Sequence, residues 1–260
     1  MPAVNPARLK QEIESLAEAL PDPAAFSRRV LSLAKFYADY TRRPGMATGV
    51  DDAPWVLNLP DPVRRELQRA IIHLVGDQRE QVGAICTELW ATGYREIQML
   101  AASLLGRQSQ DWVPAWAEER GPECMDRPAL TALATEGLAG WRSANMPVYL
   151  AQVETWLQDK RSRMQVFALI ALQELLDEEG DWLPAFFDIL ERYHWEPGGE
   201  ARKVFLSLLQ RAARHSRGEM AGFLLSLLNE NPDKPAPYLS SLENYFPDRQ
   251  VRLFRQALSG

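Results

Sequence analysis

The sequence contains little of what metal or disulfide chemistry requires. It has 2 cysteines among 260 residues, Cys86 and Cys124, whose separation fits neither a disulfide framework nor a paired zinc motif. It has 3 histidines, and none of them has the spacing of a helical metal site. We therefore expect two buried thiols, no bound metal and no other cofactor.

Long apolar runs are missing too. No stretch approaches the roughly 20 apolar residues that a membrane span needs, and the first residues lack the pattern of a signal peptide. These absences predict a soluble, cytoplasmic protein with no membrane partner. The glycine patterns of nucleophile elbows, phosphate-binding loops and dinucleotide sites are also absent, which disfavours those classes of enzyme.

A general excess of positive charge is absent as well. The chain has 29 Lys and Arg against 35 Asp and Glu, so its formal net charge is -6. Because nucleic-acid-binding domains are usually basic as a whole, any such binding has to be local here. One segment, from Arg202 to Arg217, has five basic residues and no acid. At helical spacing its apolar residues fall on one side and these charges on the other.

An internal repeat is the most informative feature that is present. The sequence Asp-Trp-Val-Pro-Ala-Trp at residues 111–116 returns seventy positions later, at residues 181–186, as Asp-Trp-Leu-Pro-Ala-Phe. Each copy follows a strongly apolar helix and predicts a new helix, with Asp as the N-cap and Pro in the first turn. Self-similarity at a fixed period is typical of helical solenoids, in which stacked units bury one another's apolar faces.

The predicted fold is therefore all-α: an α-solenoid of HEAT-like antiparallel helix pairs, superhelical with a concave face. We expect a single domain over residues 1–260, with amino-terminal helices in 1–41, a long loop in 42–61 and the repeat array in 62–258. Trp55, in a Pro-Trp-Val-Leu run of the loop, is expected to anchor into the core, although it could instead mark a binding edge. The predicted helices cover residues 7–20, 24–41, 62–75, 78–91, 94–107, 111–119, 128–142, 147–159, 162–178, 182–194, 200–215, 218–229, 236–245 and 248–258.

One stretch resembles a known family. Residues 88–102 read Glu-Leu-Trp-Ala-Thr-Gly-Tyr-Arg-Glu-Ile-Gln-Met-Leu-Ala-Ala. This is similar to the Glu-Leu-Trp, Arg-Glu-aromatic-Gln and alanine-rich pattern of HEAT-like DNA alkylation repair enzymes. Arg64 and Arg65 behind Pro62, and Pro114 near the start of a helix, fit the same family. The resemblance spans about residues 60–176.

The resemblance implies a curved solenoid that holds duplex DNA in a basic concave groove. It further implies excision of cationic alkylated purines with the help of an aromatic residue and a nearby carboxylate. In gapless register from Pro114, the segment that should carry these groups is 121–130, which contains no tryptophan. Leu130 falls at the position of the acid, and a leucine cannot stabilise a developing sugar cation. Asp126 is the best substitute for the catalytic acid, followed by Glu123.

Three interpretations remain open. The chain is a DNA-binding member of this superfamily with weak or absent glycosylase activity, a scaffold that binds a protein partner, or an active repair enzyme that uses Asp126 or Glu123. Trp112 and Trp116 are the aromatic candidates for stacking on a base, and Gln165 replaces an arginine that the family places at the start of a later helix. If duplex DNA is the partner, we expect the contacts to come from Lys160, Arg161, Arg163, Arg202 and Lys203.

Overall fold

A computed structural model describes residues 6–39, 55–76, 81–178 and 182–259. Within these ranges the regular elements are helices, and β pairing is confined to one isolated parallel bridge between Trp55 and Tyr94. The all-α prediction is thus confirmed. No helix in the described ranges has both the length and the apolar character that a bilayer crossing requires. Most of the predicted 42–61 loop, and Asp181 of the second repeat copy, lie outside the described residues.

The chain divides into two compact units, Met1–Met146 and Pro147–Gly260. In the first unit, α1 packs on α3, α3 on α5 and α5 on α7, while α2 packs on α4 and α4 on α5. Helices two positions apart in the chain thus lie side by side, as they do in repeat arrays. The helices of this unit are α1 (Pro6–Glu14), α2 (Pro23–Tyr37), α3 (Asp61–Gly76), α4 (Val82–Ala91), α5 (Arg95–Leu105), α6 (Trp112–Arg120), α7 (Arg127–Ala132) and α8 (Ala139–Ala144).

The second unit is built in the same way. In it α10 packs on α12, α12 on α13 and α14, and α13 on α15. Its helices are α9 (Met146–Leu157), α10 (Ser162–Gln173), α11 (Leu183–Arg192), α12 (Gly199–His215), α13 (Arg217–Glu230), α14 (Ala236–Leu242) and α15 (Asp248–Ser259). A single solenoid that runs through both units, with a concave face, stays a prediction.

Hydrophobic periodicity explains the helices that form the cores. In α12 the residues Val204, Phe205, Leu208, Leu209 and Ala212 are buried, as the spacing predicts, and the basic residues lie on the other side. In α10 the burial is nearly all-round, from Met164 to Leu172. A helix that is apolar on most sides has to be enclosed by its neighbours, and within its unit α10 packs on α12.

The predicted capping of the repeated motif is wrong where it can be checked. Asp111 does precede α6, but its backbone is helical (φ -67°, ψ -12°) and its side chain accepts no capping hydrogen bond. In the second copy, α11 begins at Leu183, with Trp182 at the N-cap position. It therefore begins one residue later in the motif than α6, which begins at Trp112. A capping Asp typically has an extended backbone, which Asp111 does not adopt.

The predicted helix 128–142 is interrupted. It consists of α7, a π-helical turn at Leu133–Gly137 and α8. The turn lies against α5, where a Cβ atom on Gly106 would come within 2.0 Å of the backbone oxygen of Glu136. Gly106 thus permits this close approach of two backbones.

Candidate functional site

Arg95 and Asp126 join the amino-terminal ends of α5 and α7. Arg95 is the first residue of α5, and Asp126 is the N-cap of α7, with extended backbone (φ -80°, ψ 115°). The Oδ1 atom of Asp126 accepts the backbone N–H of Ala129 at 2.9 Å. Nη2 of Arg95 donates to Oδ2 of Asp126 at 2.7 Å, and Nε of Arg95 donates to Oδ1 at 3.1 Å and to Oδ2 at 2.9 Å. The pair is bidentate, the strongest geometry for these groups.

The two partners of this pair differ in their exposure to solvent. The side chain of Asp126 is 2% exposed and that of Arg95 is 32% exposed. The hydrogen bonds to Asp126 raise the pKa of the Arg95 guanidinium above its usual value, so the arginine stays charged. Asp126 therefore has two structural roles, as a helix cap and as the buried counter-ion of Arg95.

The rest of the segment 121–130 offers few other acids for catalysis. Leu130, at the position where the resemblance expects the acid, is fully buried. Glu123 is exposed to solvent in the turn before α7. Within the described part of the chain, no group of three or more His, Cys, Asp or Glu residues could hold a metal ion.

The two aromatic candidates pack within the first unit. Trp116 is 7% exposed, donates from Nε1 to the hydroxyl of Thr87 at 3.0 Å and contacts Trp90 edge to face. The ring of Trp112 lies against Gly83 of α4, where an added Cβ would meet it at 3.6 Å. Both rings hold α6 against α4, which is a packing role.

The five predicted basic residues lie at the beginnings of α10 and α12, which pack against each other. Nη1 of Arg163, in the first turn of α10, donates to Oε2 of Glu200 in the first turn of α12 at 2.9 Å. This bond brings the two helix beginnings together. Four of the five side chains are exposed, whereas Arg163 is 20% exposed. We call Lys160, Arg161, Arg163, Arg202 and Lys203 the α10–α12 basic cluster.

Acidic residues within the second unit partly neutralise this cluster. Arg161 makes a bidentate pair with Asp159, with its Nη2 atom 2.7 Å from Oδ2. Hydrogen bonds from Arg161 lower the pKa of Asp159, so this carboxylate stays charged under ordinary conditions. The carboxylates of Asp159 and Glu200 thus each pair with one arginine of the cluster.

Helix geometry adds positive character to the cluster. Neither Arg161, the N-cap of α10, nor Gly198, the N-cap of α12, provides a capping side chain. The positive ends of two helix dipoles thus lie beside the cluster, where backbone N–H groups favour an anion. Gln165, which replaces the family's arginine, donates from its amide to the backbone oxygen of Asp159 at 2.9 Å.

Trp55 is the residue that sequence reasoning misplaced. The prediction of a core anchor is wrong, because 65% of Trp55 is exposed. Leu57 and Leu59 are buried instead, at 2% and 9% exposure. Trp55 contacts Tyr94, the residue before Arg95, with ring centroids 5.1 Å apart and planes at 83°. Nothing in the sequence distinguishes Trp55 from the two leucines, because residues 55, 57 and 59 lie at alternate positions of one segment.

Comparison with known proteins gives one match. The model of the family described as DNA alkylation repair enzyme matches residues 33–236. No curated protein and no solved structure matches the chain. The match runs from the end of α2 through α13, and it includes both the Arg95–Asp126 pair and the α10–α12 basic cluster.

Proposed function

The chain belongs to the DNA alkylation repair enzyme family, and we propose that it binds duplex DNA without excising alkylated bases. The binding is proposed to use the α10–α12 basic cluster. Phosphate contacts supply most of the affinity of proteins for duplex DNA, and Lys, Arg and helix N-termini are the groups that make them. The proposal that the protein binds DNA rests on the Arg163–Glu200 hydrogen bond. This bond brings five cations together at the beginnings of two helices that have no capping side chain.

The absence of excision is supported by the state of Asp126. Excision of a cationic purine requires stabilisation of a positive sugar, which an accessible carboxylate provides. Both oxygens of Asp126 accept hydrogen bonds, and its side chain is 2% exposed. Moving it toward a substrate would remove the cap of α7 and leave Arg95 without its counter-ion. Asp126 therefore keeps a structural role while the protein binds DNA.

The experiment is a titration of a labelled duplex by fluorescence anisotropy at two salt concentrations. The affinity should fall steeply with salt, with a slope of about -0.9 for each phosphate neutralised. The double reversal Arg163→Glu with Lys203→Glu should weaken binding roughly tenfold or more and make the slope less steep by about 2. Arg249→Glu, an exposed reversal on α15, is the matched control.

The second candidate function is a scaffold that binds a protein. It is favoured by the formal net charge of -6 and by the acids that already pair with Arg161 and Arg163. The same titration decides between the two. Affinity that the double reversal leaves unchanged, or no affinity at low salt, would reject the DNA proposal and favour the scaffold.

A further inference from the structure

The first unit presents an exposed tryptophan that the proposed duplex contact does not use. Trp55 is 65% exposed, whereas Trp116, Trp141, Trp156 and Trp195 are all at most 7% exposed. Burying an aromatic ring contributes strongly to stability, so a ring that stays in water calls for another explanation than core packing.

The segment that carries Trp55 is held in place by the first turn of α5. The backbone oxygen of Trp55 accepts the N–H of Arg95 at 2.9 Å. The carboxylate of Glu96, a residue only 7% exposed, accepts the N–H groups of Leu57 and Asn58 at 3.0 and 2.8 Å. Asn58 adopts a left-handed backbone (φ 51°), which asparagine tolerates. The backbone of the segment that carries Trp55 is therefore fixed by hydrogen bonds.

The surroundings of Trp55 combine an aromatic ring with a positive charge. The ring of Tyr94 meets the indole at an angle of 83°, and Nζ of Lys35 lies 4.8 Å from the centroid of the same Tyr94 ring. Lys35 thus places a positive charge against one ring of the aromatic pair. Beside it, the charge of Arg95 is balanced by Asp126.

We propose that Trp55, Tyr94 and Lys35 form a stacking platform for an unpaired base of DNA. In a fully paired duplex both faces of each internal base are covered by its neighbours, so an exposed indole can stack only on a base that has left the stack. Aromatic rings beside cations are the usual means by which proteins bind such bases, with the cation on the backbone. This proposal specifies the kind of DNA that the protein binds, a duplex with an unpaired nucleotide, and so it rests on the proposed function.

DNA explains this surface better than a protein partner does. Lys35 lies next to the aromatic pair, and the family match, which makes DNA the expected partner, includes Lys35, Trp55 and Tyr94. An aromatic residue on a fixed backbone is also well placed to bind a base, because it loses little conformational freedom when the base stacks on its ring.

The test uses the full chain and two labelled duplexes that differ only by one unpaired nucleotide in the middle of one strand. Wild-type protein should bind the duplex with the unpaired nucleotide roughly tenfold more tightly, the range that stacking on one aromatic ring gives. Trp55→Ala should abolish this preference and leave binding to the paired duplex within about twofold. Trp55→Phe should keep most of the preference, because it retains a ring.

Phe36→Ala is the control, since Phe36 is another exposed aromatic of the first unit, at 47% exposure. It should leave both affinities unchanged. Equal binding of the two duplexes by wild type, or a preference that survives Trp55→Ala, would overturn the platform while the duplex proposal stands. Weaker binding of both duplexes by the α10–α12 double reversal, together with a clear preference of wild type for the duplex with the unpaired nucleotide, supports both proposals. No binding of either duplex by wild type rejects both proposals and favours a protein ligand at Trp55.

Discussion

Breaking the Arg95–Asp126 pair from its two sides should have unequal costs. In Arg95→Met the carboxylate of Asp126 is still 2% exposed, and it loses the arginine but keeps its hydrogen bond from the N–H of Ala129. An uncompensated buried charge of this kind costs about 3 to 5 kcal/mol. Asp126→Asn instead leaves the guanidinium of Arg95, which is 32% exposed and can hydrogen-bond to water. The amide oxygen of the new asparagine can still cap α7. We expect that change to cost about 1 to 2 kcal/mol.

Two further variants separate the roles of Asp126. Asp126→Ala should cost about 1 kcal/mol more than Asp126→Asn, because alanine cannot cap the helix. The double variant Arg95→Met with Asp126→Asn should be more stable than Arg95→Met alone, since no buried charge remains. Glu66→Gln, which breaks the exposed Glu66–Arg69 pair with its contact of 2.6 Å, should cost less than about 0.5 kcal/mol.

Urea unfolding followed by circular dichroism measures these changes as shifts in midpoint at constant slope. The order expected is Arg95→Met, then Asp126→Ala, then Asp126→Asn, then Glu66→Gln, from the largest loss of stability to the smallest. The reasoning is refuted if Asp126→Asn costs more than Arg95→Met, or if both cost less than the exposed control. Either result would mean that the buried carboxylate does not depend on its arginine.

Three other outcomes follow from particular contacts. Glu200→Gln removes a carboxylate from the α10–α12 basic cluster, so duplex affinity should rise severalfold and its salt slope should steepen by up to about 1 in the anisotropy titration. Burial raises the pKa of Cys86 to about 12, so in a Cys124→Ser background the folded protein should resist a thiol reagent at pH 8, and rapid labelling would contradict this. The stability that this raised pKa contributes is complete below about pH 9 and is lost as the pH rises toward 12. Gly106→Ala should destabilise the protein by about 3 kcal/mol or more in urea, because its methyl would meet a backbone oxygen at 2.0 Å, whereas Gly222→Ala, in open space, should stabilise it by up to about 1 kcal/mol.

Local patterns in the sequence predict most of the helices, although not the π-helical turn that interrupts residues 128–142. The spacing of apolar residues identifies the buried face of α12, because an α-helix repeats every 3.6 residues. In α5 it identifies the apolar face but not the burial of Glu96, Gln98 and Ser103 on the other sides of the helix. The family resemblance around Arg95 also comes from residues that are close in sequence, and the family match confirms it. Properties set by neighbouring residues are thus available without a structure.

Contacts between distant residues are not available in this way. Arg95 and Asp126 are 31 positions apart, and only their geometry shows that Asp126 is a counter-ion as well as a cap. The sequence Asp-Arg-Pro at residues 126–128 does carry the pattern of a helix start, which identifies the cap but not the ion pair. Trp55 escapes prediction because the hydrogen bonds that pin its segment come from Arg95 and Glu96, far along the chain.

The most direct test of DNA binding without excision is a single-turnover reaction. A duplex with one N-methylated purine is incubated with excess protein at low salt, under conditions in which anisotropy shows the duplex to be saturated, and the released base is quantified over time. We expect saturable binding together with release at the spontaneous rate, because Asp126 is engaged by Arg95 and the helix it caps. Release above that rate which disappears in Asp126→Asn would show that this carboxylate is catalytic and would contradict the proposal.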